Sequence, residues 1–419
     1  LERLYSIRFY WCLLFIGLIN TSLAQNNTIS GKVINKETKA PVAGASVFIS
    51  GTSRGTISNN EGEFTLLNIP NGKFDLVVTN VSFQSYVRPF NVTELPLTLN
   101  IELDLKVTEL EQVIIRPYEE DTWAKWGLFF TETFIGTSLY SKQTVIKNKE
   151  SIKFRYYRKE QILEAFSEGP IIIENRALGY TIQYQLEHFQ YSTKERKLLY
   201  YGFTLFEDMA DDRRRVPRRW AYNRTAVYEG SMVHFFKSLY DRKSEQNGYE
   251  VRILKKGKNI ERERVAAIYQ EIKANIDSFG LVNVEVDNDS LNYYSGIMRQ
   301  SEYVDYLQKD PINPENFIID HTLSEKELFF NDYLHIRYKK KLEDIEFIHH
   351  TRENRKAFNP TSVIFLDEKT PVSVNRHGNF YPPQNVVCSG YWAWSEKVAT
   401  LLPLDYDPDE FMKVKNPGK

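Results

Sequence analysis

The sequence predicts a mainly β, α+β protein: a small Ig-like β-sandwich at the N-terminus, then a β-rich α+β domain with a long helix. Three observations carry this. Residues 29–86 alternate apolar and polar side chains in short runs separated by Gly-rich turns, the pattern of a small antiparallel sandwich. Aromatic residues make up 14% of the chain, with 26 Tyr and 26 Phe, an enrichment that favours strands. Tyr228, Met232, Phe235, Phe236 and Leu239 fall at i, i+4, i+7, i+8 and i+11, the spacing of one helical face.

A chain of 419 residues has room for two or three domains, each with its own core. A formal net charge of −1 gives no overall pull toward nucleic acid or an anionic membrane, and no nucleic-acid partner is expected. Residues 1–24 read as a secretory signal peptide. Arg3 and Arg8 form its basic start, Phe9 to Ile19 is an apolar run too short to span a bilayer comfortably, and Ser22-Leu23-Ala24 is a small-x-small cleavage site. The competing reading is an uncleaved anchor. Gln25 rather than Cys follows the site, which closes the lipoprotein route. The chain is therefore expected to be exported. Cys12 leaves with the leader. Cys388 then has no internal disulfide partner, and Val386, Val387 and Tyr391 around it point to a buried thiol. No later apolar run reaches about 18 residues, so the mature chain is expected to have no transmembrane helix.

Within the sandwich, Thr28 to Ile34 is a first strand, followed by a turn at Ala40 to Gly44. Ala45, Val47 and Ile49 alternate with Ser46, Phe48 and Ser50, which places the two sets on opposite faces. Asn59-Asn60-Glu61-Gly62 is a turn in which Gly62 can take positive φ. Phe64 and Leu66 share a face, as do Phe74, Leu76 and Val78. Asn71-Gly72 is the strongest hairpin signal in the chain. Leu97, Leu99, Ile101 and Leu103 form a last strand.

The strings ISGKVI, PVAGASVFI, SNNEGEFTL and IPNGKFDLVV resemble the carboxypeptidase regulatory-like domain, a transthyretin-like sandwich, here assigned to residues 25–105. Ser82-Phe83-Gln84-Ser85-Tyr86 departs from the Gly-Tyr pair that many members carry near the end. The resemblance implies an accessory module rather than a catalytic domain. Similar domains occur beside zinc carboxypeptidase domains or at the N-terminus of TonB-dependent outer-membrane transporters, and Leu110 to Ile115 resembles the strand that follows in the second setting. For an exported chain, the resemblance implies a place in the periplasm or associated with the outer membrane. Further on, IIIENRALGYTIQYQLEHF and RRWAYNRTAVYEGSMVHFFKSLY resemble a long region of bacterial envelope proteins that brings no reaction with it.

Residues 106–135 read as a linker and an aromatic helix, with Trp126, Phe130 and Phe134 four apart on one face. Residues 136–419 read as the second domain. Ile152-Phe154-Tyr156, Ile171 to Glu174, Tyr180-Ile182-Tyr184-Leu186 and Leu198 to Phe206 predict an antiparallel meander or a second sandwich. The long helix starts near Pro217 and is expected to end by Asn247-Gly248. Glu261 to Ile276 predicts a further helix, while Leu323 to Tyr338 and Glu346 to Ile364 return to strand-like patterning.

The chemistry-bearing motifs are sparse. A zinc carboxypeptidase needs His-x-x-Glu and a distant second His. His350-Thr351-Arg352-Glu353 fits the first half, but His377 is the only later His and too little chain follows for such a domain. No nucleophile elbow, P-loop or dinucleotide fingerprint is present. A Cys388–His377 pair has no supporting context, and Asp287-Asn288-Asp289 lacks the Gly and distal Glu of an EF-hand. No catalytic residue, metal ligand or cofactor is expected.

Two clusters remain as binding candidates. Arg213, Arg214, Arg215, Arg218, Arg219 and Arg224 crowd the start of the long helix, just after Glu207, Asp208, Asp211 and Asp212. They read either as a self-paired, solvated face or as guanidinium groups gripping an acidic partner, a lipid phosphate or an anionic glycan. Trp392 and Trp394 share a parity that a strand would put on one face, either stacking on a sugar or packing in a β core. The function expected is a non-enzymatic exported envelope protein, an accessory or adaptor module docking to an outer-membrane or periplasmic protein. The alternatives are a glycan-binding protein, here through Trp392, Trp394 and nearby Tyr, and a hydrolase or peptidase. An outer-membrane barrel is disfavoured by the helical, charged middle of the chain.

Overall fold

The computed structural model describes residues 27–106, 119–210, 216–279, 288–320 and 325–408. They form two compact units. One comprises the chain up to Glu229 with Asn375–Asn379 and the residues from Lys397 onward; the other comprises Gly230–Val374 and Phe380–Glu396. Among the described residues no helix is long and apolar enough to cross a membrane.

The first unit opens with seven strands: β1 (Ile29–Asn35), β2 (Ser46–Ile49), β3 (Gly55–Ile57), β4 (Glu63–Leu66), β5 (Lys73–Asn80), β6 (Phe83–Asn91) and β7 (Leu97–Leu103). They make two sheets, β4-β1-β7 and β3-β2-β5-β6. Val47, Ile49, Phe64, Leu66, Phe74, Leu76 and Val78 all enter the core between them, as their parities predict. Two features differ from the sequence reading. The pairing of β1 with β7, Ile29 opposite Leu97 through Asn35 opposite Leu103, is parallel rather than antiparallel. Asn71-Gly72 closes no hairpin, because β4 pairs with β1 while β5 pairs with β2 and β6. A two-residue turn signal carries no information about which sheet the next strand joins.

Phe48 and Val77 point away from this core, yet both are buried, against Leu205. The cover comes from a third sheet, built from β8 (Glu119–Asp121), β9 (Thr144–Ile146), β10 (Ile152–Tyr157), β11 (Ile162–Ser167), β12 (Ile171–Asn175), β13 (Tyr180–Ser192) and β14 (Lys197–Asp208). All of its pairings are antiparallel. Strand β13 organises it: its first half pairs with β12, its second half with β11, and β14 runs along its other edge. The expectation of a second sandwich is corrected here. The apolar face of this sheet is covered by a helix, α1 (Trp123–Phe134), through the fully buried Phe130 and Phe134, together with Val398 and Ala399.

The long helix read from near Pro217 to Asn247-Gly248 is two helices, α2 (Arg218–Tyr228) and α3 (Met232–Tyr240). Apolar spacing continues across the gap, but Gly230 adopts φ +79° and Ser231 caps α3, its Oγ accepting from the His234 N–H at 3.1 Å. Glycine is a poor helix interior residue and serine a preferred N-cap, so local chemistry overrides periodicity. Helix α3 also stops at Tyr240, before Asn247-Gly248.

The second unit continues with β15 (Tyr249–Lys258), α4 (Ile260–Phe279), α5 (Asn288–Met298), β16 (Tyr303–Leu307), β17 (Ile318–Asp320), β18 (Glu325–Leu328), β19 (Tyr333–Tyr338), α6 (Ile345–Thr351), β20 (Thr361–Leu366), β21 (Val372–Asn375), β22 (Phe380–Tyr381), β23 (Val386–Gly390) and α7 (Tyr391–Ser395). Its two sheets run β16-β15-β19-β20-β23 and β17-β18-β21-β22. Phe235, Phe236 and Leu239 of α3 pack with Val251, Leu334, Ile336, Ile364 and Val372 in one core. Helix α4 covers the stretch expected to be helical. The strand-like reading of Glu346 to Ile364 is corrected: Ile345–Thr351 is helix α6, and only the residues from Thr361 onward extend as a strand. Phe347 and Ile348 are both buried, and consecutive inward residues suit a helix on one core better than a strand.

Candidate functional site

The basic cluster is divided by its own helix. Helix α2 begins after Pro217, whose fixed φ suits the helix entrance. Positions 220, 223 and 224 share one face and dock on the 176–179 loop. The Trp220 indole N–H donates to the Arg176 carbonyl at 3.0 Å, and Asn223 Nδ2 donates to the Ala177 carbonyl at 2.7 Å. Gly179, at φ +75°, leaves room for the indole: a Cβ there would lie 2.2 Å from the Trp220 ring. Arg224 is fully buried. Its Nε donates to the Leu178 carbonyl at 2.7 Å, and its two terminal nitrogens grip the Asp208 carboxylate at 2.9 and 3.1 Å. The guanidinium lies 3.9 Å from the centre of the Tyr180 ring. Burial raises the Tyr180 phenol well above its ordinary pKa, with Arg224 opposing that shift. A buried guanidinium needs this many partners to offset its desolvation.

The opposite face of α2 carries Arg218, Arg219 and Tyr222 into solvent. Arg219 donates to the Gln143 side-chain carbonyl. Arg218 makes no ion pair with any described residue. Nearby on the docking loop, Arg176 binds Glu174 through Nε at 3.0 Å and Nη2 at 2.7 Å, which holds that carboxyl below its usual range. Arg213, Arg214 and Arg215, with Asp211 and Asp212, lie outside the described residues. What the structure brings together is thus a pair of exposed guanidinium groups on a helix whose rotation is set by a buried third. Exposed guanidiniums suit carboxylate, sulfate or phosphate oxygens, which they bind through paired N–H donors.

The second candidate is corrected. Trp392 and Trp394 lie on helix α7, not on a strand, and are 3% and 6% exposed. Gly390 at φ +78° turns the chain at the end of β23, and one helical turn then aims both indoles inward. Trp392 donates its indole N–H to the Gly230 carbonyl at 2.8 Å and packs on Phe235; Trp394 packs on Phe347 and Tyr391. Neither ring offers a face to a sugar.

The remaining motifs stand apart from one another. His350 and Glu353 are exposed near the end of α6, and Glu353 is taken by Arg355. His377 accepts from Arg376 at 3.0 Å. Cys388 is half-buried on β23, opposite Ile364 and packed against the core of the second unit. Asp287 lies outside the described residues. Among the described residues no three His, Cys, Asp or Glu side chains are grouped to hold a metal ion.

Two features escaped the sequence reading. Strand β16 forms an edge of its sheet, with Tyr303, Tyr306 and Leu307 exposed. Its alternation in YVDYL was legible, but its edge position was not. His234 is half-buried on α3's first turn, where Nδ1 accepts from the Gly230 N–H at 3.1 Å and faces the Tyr249 hydroxyl at 3.0 Å. Burial, then Lys340, Lys341 and Lys237, push its pKa down to about 4. No sequence signal marks it: Gly230 is only four residues away, but Tyr249 lies fifteen residues on, on a strand, and nothing in the spacing pairs it with His234.

The fold is that of a β-rich protein with an N-terminal β-sandwich. Residues 29–115 match the CarboxypepD_reg-like domain family, so the sandwich is a domain of that kind; the match ends well short of half the chain. No curated protein matches the chain. Solved structures similar to it include a type II cohesin–X-dockerin complex of Acetivibrio cellulolyticus, at 21% identity over 18% of this chain and 51% of that one, with a TM-score of 0.14. The chain thus spans about half the length of that structure. A candidate carbohydrate-binding protein of Bacteroides uniformis shares 11% identity over 43% of this chain and 79% of that one, TM-score 0.15. A candidate membrane-associated protein of Bacteroides fragilis shares 8% identity over 87% of this chain and 94% of that one, TM-score 0.15. At such TM-scores none of the three defines the fold of this chain.

Proposed function

We propose that the chain is an exported, non-enzymatic protein of the cell envelope. In this reading it is an accessory or adaptor module that docks an outer-membrane or periplasmic protein through the Arg218–Arg219 face of α2. The observation that carries the proposal is the contrast within one helix: Arg224 is fully buried and multiply bonded, while Arg218 and Arg219 stand in solvent. A helix held at fixed orientation loses little segmental freedom on binding, which favours recognition of an acidic surface. The leader-like pattern of residues 1–24 and the CarboxypepD_reg-like domain support this reading of an accessory role outside the cytoplasm.

The test is capture of partners by tagged protein from mildly solubilised envelopes, comparing the native chain with an Arg218→Glu/Arg219→Glu variant. A stoichiometric outer-membrane or periplasmic partner that the native chain retains, and the variant loses, is the expected result. Retention that ignores the charge reversal, or no partner at all, would overturn the proposed face.

A further inference from the structure

We propose that a cleft at the seam between the N-terminal sandwich and the β13–β14 sheet binds one saccharide unit. This site is independent of the arginine face. The face of β13 and β14 that meets the sandwich is mixed. On β14, Leu205 fills the seam against Phe48 and Val77, with Phe203 packed alongside. Directly across the ladder, opposite Leu205 and Phe203, stand Gln183 and Gln185 of β13. Amides there leave the seam open instead of closing it, and a cleft of about 180 Å³ remains. Thr79 and Ser85 line it from the sandwich, Lys106 from the end of the domain, and Phe48 and Pro170 give it an apolar wall.

Size and chemistry select the ligand. At ~30 Å³ per water the cleft holds roughly six waters, well below the ~300–1,000 Å³ of pockets for drug-sized molecules. It therefore suits one ring rather than a polymer segment or a nucleotide. Its polar side chains are mainly neutral amides and hydroxyls, which both donate and accept, as sugar hydroxyls do. Lys106 is the single charged lining group, too little for a phosphate cluster. Among the described residues, the Thr79, Ser85 and Gln185 side chains have no hydrogen-bond partner, so their donors and acceptors are available to a ligand. Gln183 is already oriented by its bond to Glu207 at 2.7 Å. The apolar wall matches the C–H face of a pyranose.

The experiment is ligand-observed saturation-transfer NMR on the full-length chain with glucose, galactose, mannose, N-acetylglucosamine and galacturonic acid, each at millimolar concentration, followed by titration of any responder. Transfer to at least one sugar is expected, with binding weakened about tenfold in a Thr79→Val/Gln185→Leu variant, as loss of two hydrogen bonds implies. That variant keeps side-chain volume close to native, and an unchanged melting temperature verifies its fold. The Arg218→Glu/Arg219→Glu variant should bind the same sugar as well as the native chain, so failure of the docking proposal leaves this one intact. No transfer from any of the five sugars, or transfer indifferent to the Thr79→Val/Gln185→Leu change, would overturn the site.

Discussion

Single side chains set two measurable properties. Removing the Arg224 guanidinium takes both charged donors from the Asp208 carboxylate, which keeps the Ala210 N–H, and takes the guanidinium donor from the Leu178 carbonyl, while the Gly179 carbonyl still accepts from the Met209 N–H. Breaking a buried ion pair from one side typically costs ~3–5 kcal/mol. Because Asp208 keeps part of its solvent contact, Arg224→Ala should cost about 3 kcal/mol, read as a lower urea midpoint. Arg224→Lys should recover only part of the loss, since an ammonium cannot reproduce the two-pronged grip. His234 sets a pH dependence. Its Nδ1 accepts a backbone N–H, so the ring is neutral and carries its proton on Nε2. Its folded pKa of about 4 lies below its ordinary 6.5, so between those values the unfolded chain holds a proton that the folded chain lacks. Stability from this group is full above pH 6.5 and is lost as pH falls toward 4, on the order of 3 kcal/mol in all. Denaturant titrations from pH 4 to 7 should show a slope that His234→Gln flattens. An unchanged slope would place the titration elsewhere.

At the scale of elements, glycines decide how helices dock. Helix α2 lies against the 176–179 loop only because Gly179 leaves space for the Trp220 ring. Gly179→Ala combines a left-handed backbone penalty of ~1–2 kcal/mol with a clash against the indole. It should loosen α2, seen as faster amide exchange over residues 218–228 with β1–β7 unaffected. Gly230→Ala makes a parallel case: φ is +79° and a Cβ would lie 2.6 Å from the Tyr338 ring. That change should lower the melting temperature, because the break that separates α2 from α3 can no longer form unstrained.

At the scale of the molecule, the first unit is completed by residues remote in sequence. Val398 and Ala399 are fully buried against α1 and the β13 sheet. Ala399 donates its N–H to the Ile135 carbonyl at 3.1 Å and accepts from Asn175 Nδ2 at 2.9 Å. Leu404 and Asp405 meet the 51–54 loop of the sandwich through the Gly51 carbonyl, the Ser53 hydroxyl and Arg54. A chain ending at Glu396 should therefore lose stability in the first unit, on the order of 3 kcal/mol from the valine burial and hydrogen bonds alone. Limited proteolysis should then cut the first unit before the second. Equal resistance of the full and shortened chains would show that this segment adds nothing.

Much of the sandwich was legible because its signals are local. Alternation places Phe64, Leu66, Phe74, Leu76 and Val78 on the core side, and the four-residue spacing of Trp126, Phe130 and Phe134 marks α1. The arginine cluster was legible as a cluster. Its division was not, because burial of Arg224 depends on Asp208 and the 178–179 carbonyls, which no helical spacing names. The inward turn of Trp392 and Trp394 depends on Gly390 and on a core assembled from α3 and α6. Phe48 and Val77 look solvent-facing by parity and are buried by Leu205, a residue more than a hundred positions away. By itself, then, the sequence determined most of the sandwich strands, helices α1 and α4, and which way most of their side chains alternate, since backbone periodicity and turn chemistry act over a few residues; it did not separate α2 from α3 or mark α6 and α7 as helices. Tertiary structure alone decided which of the remaining faces meet solvent, because burial is settled by whatever distant segment packs against them.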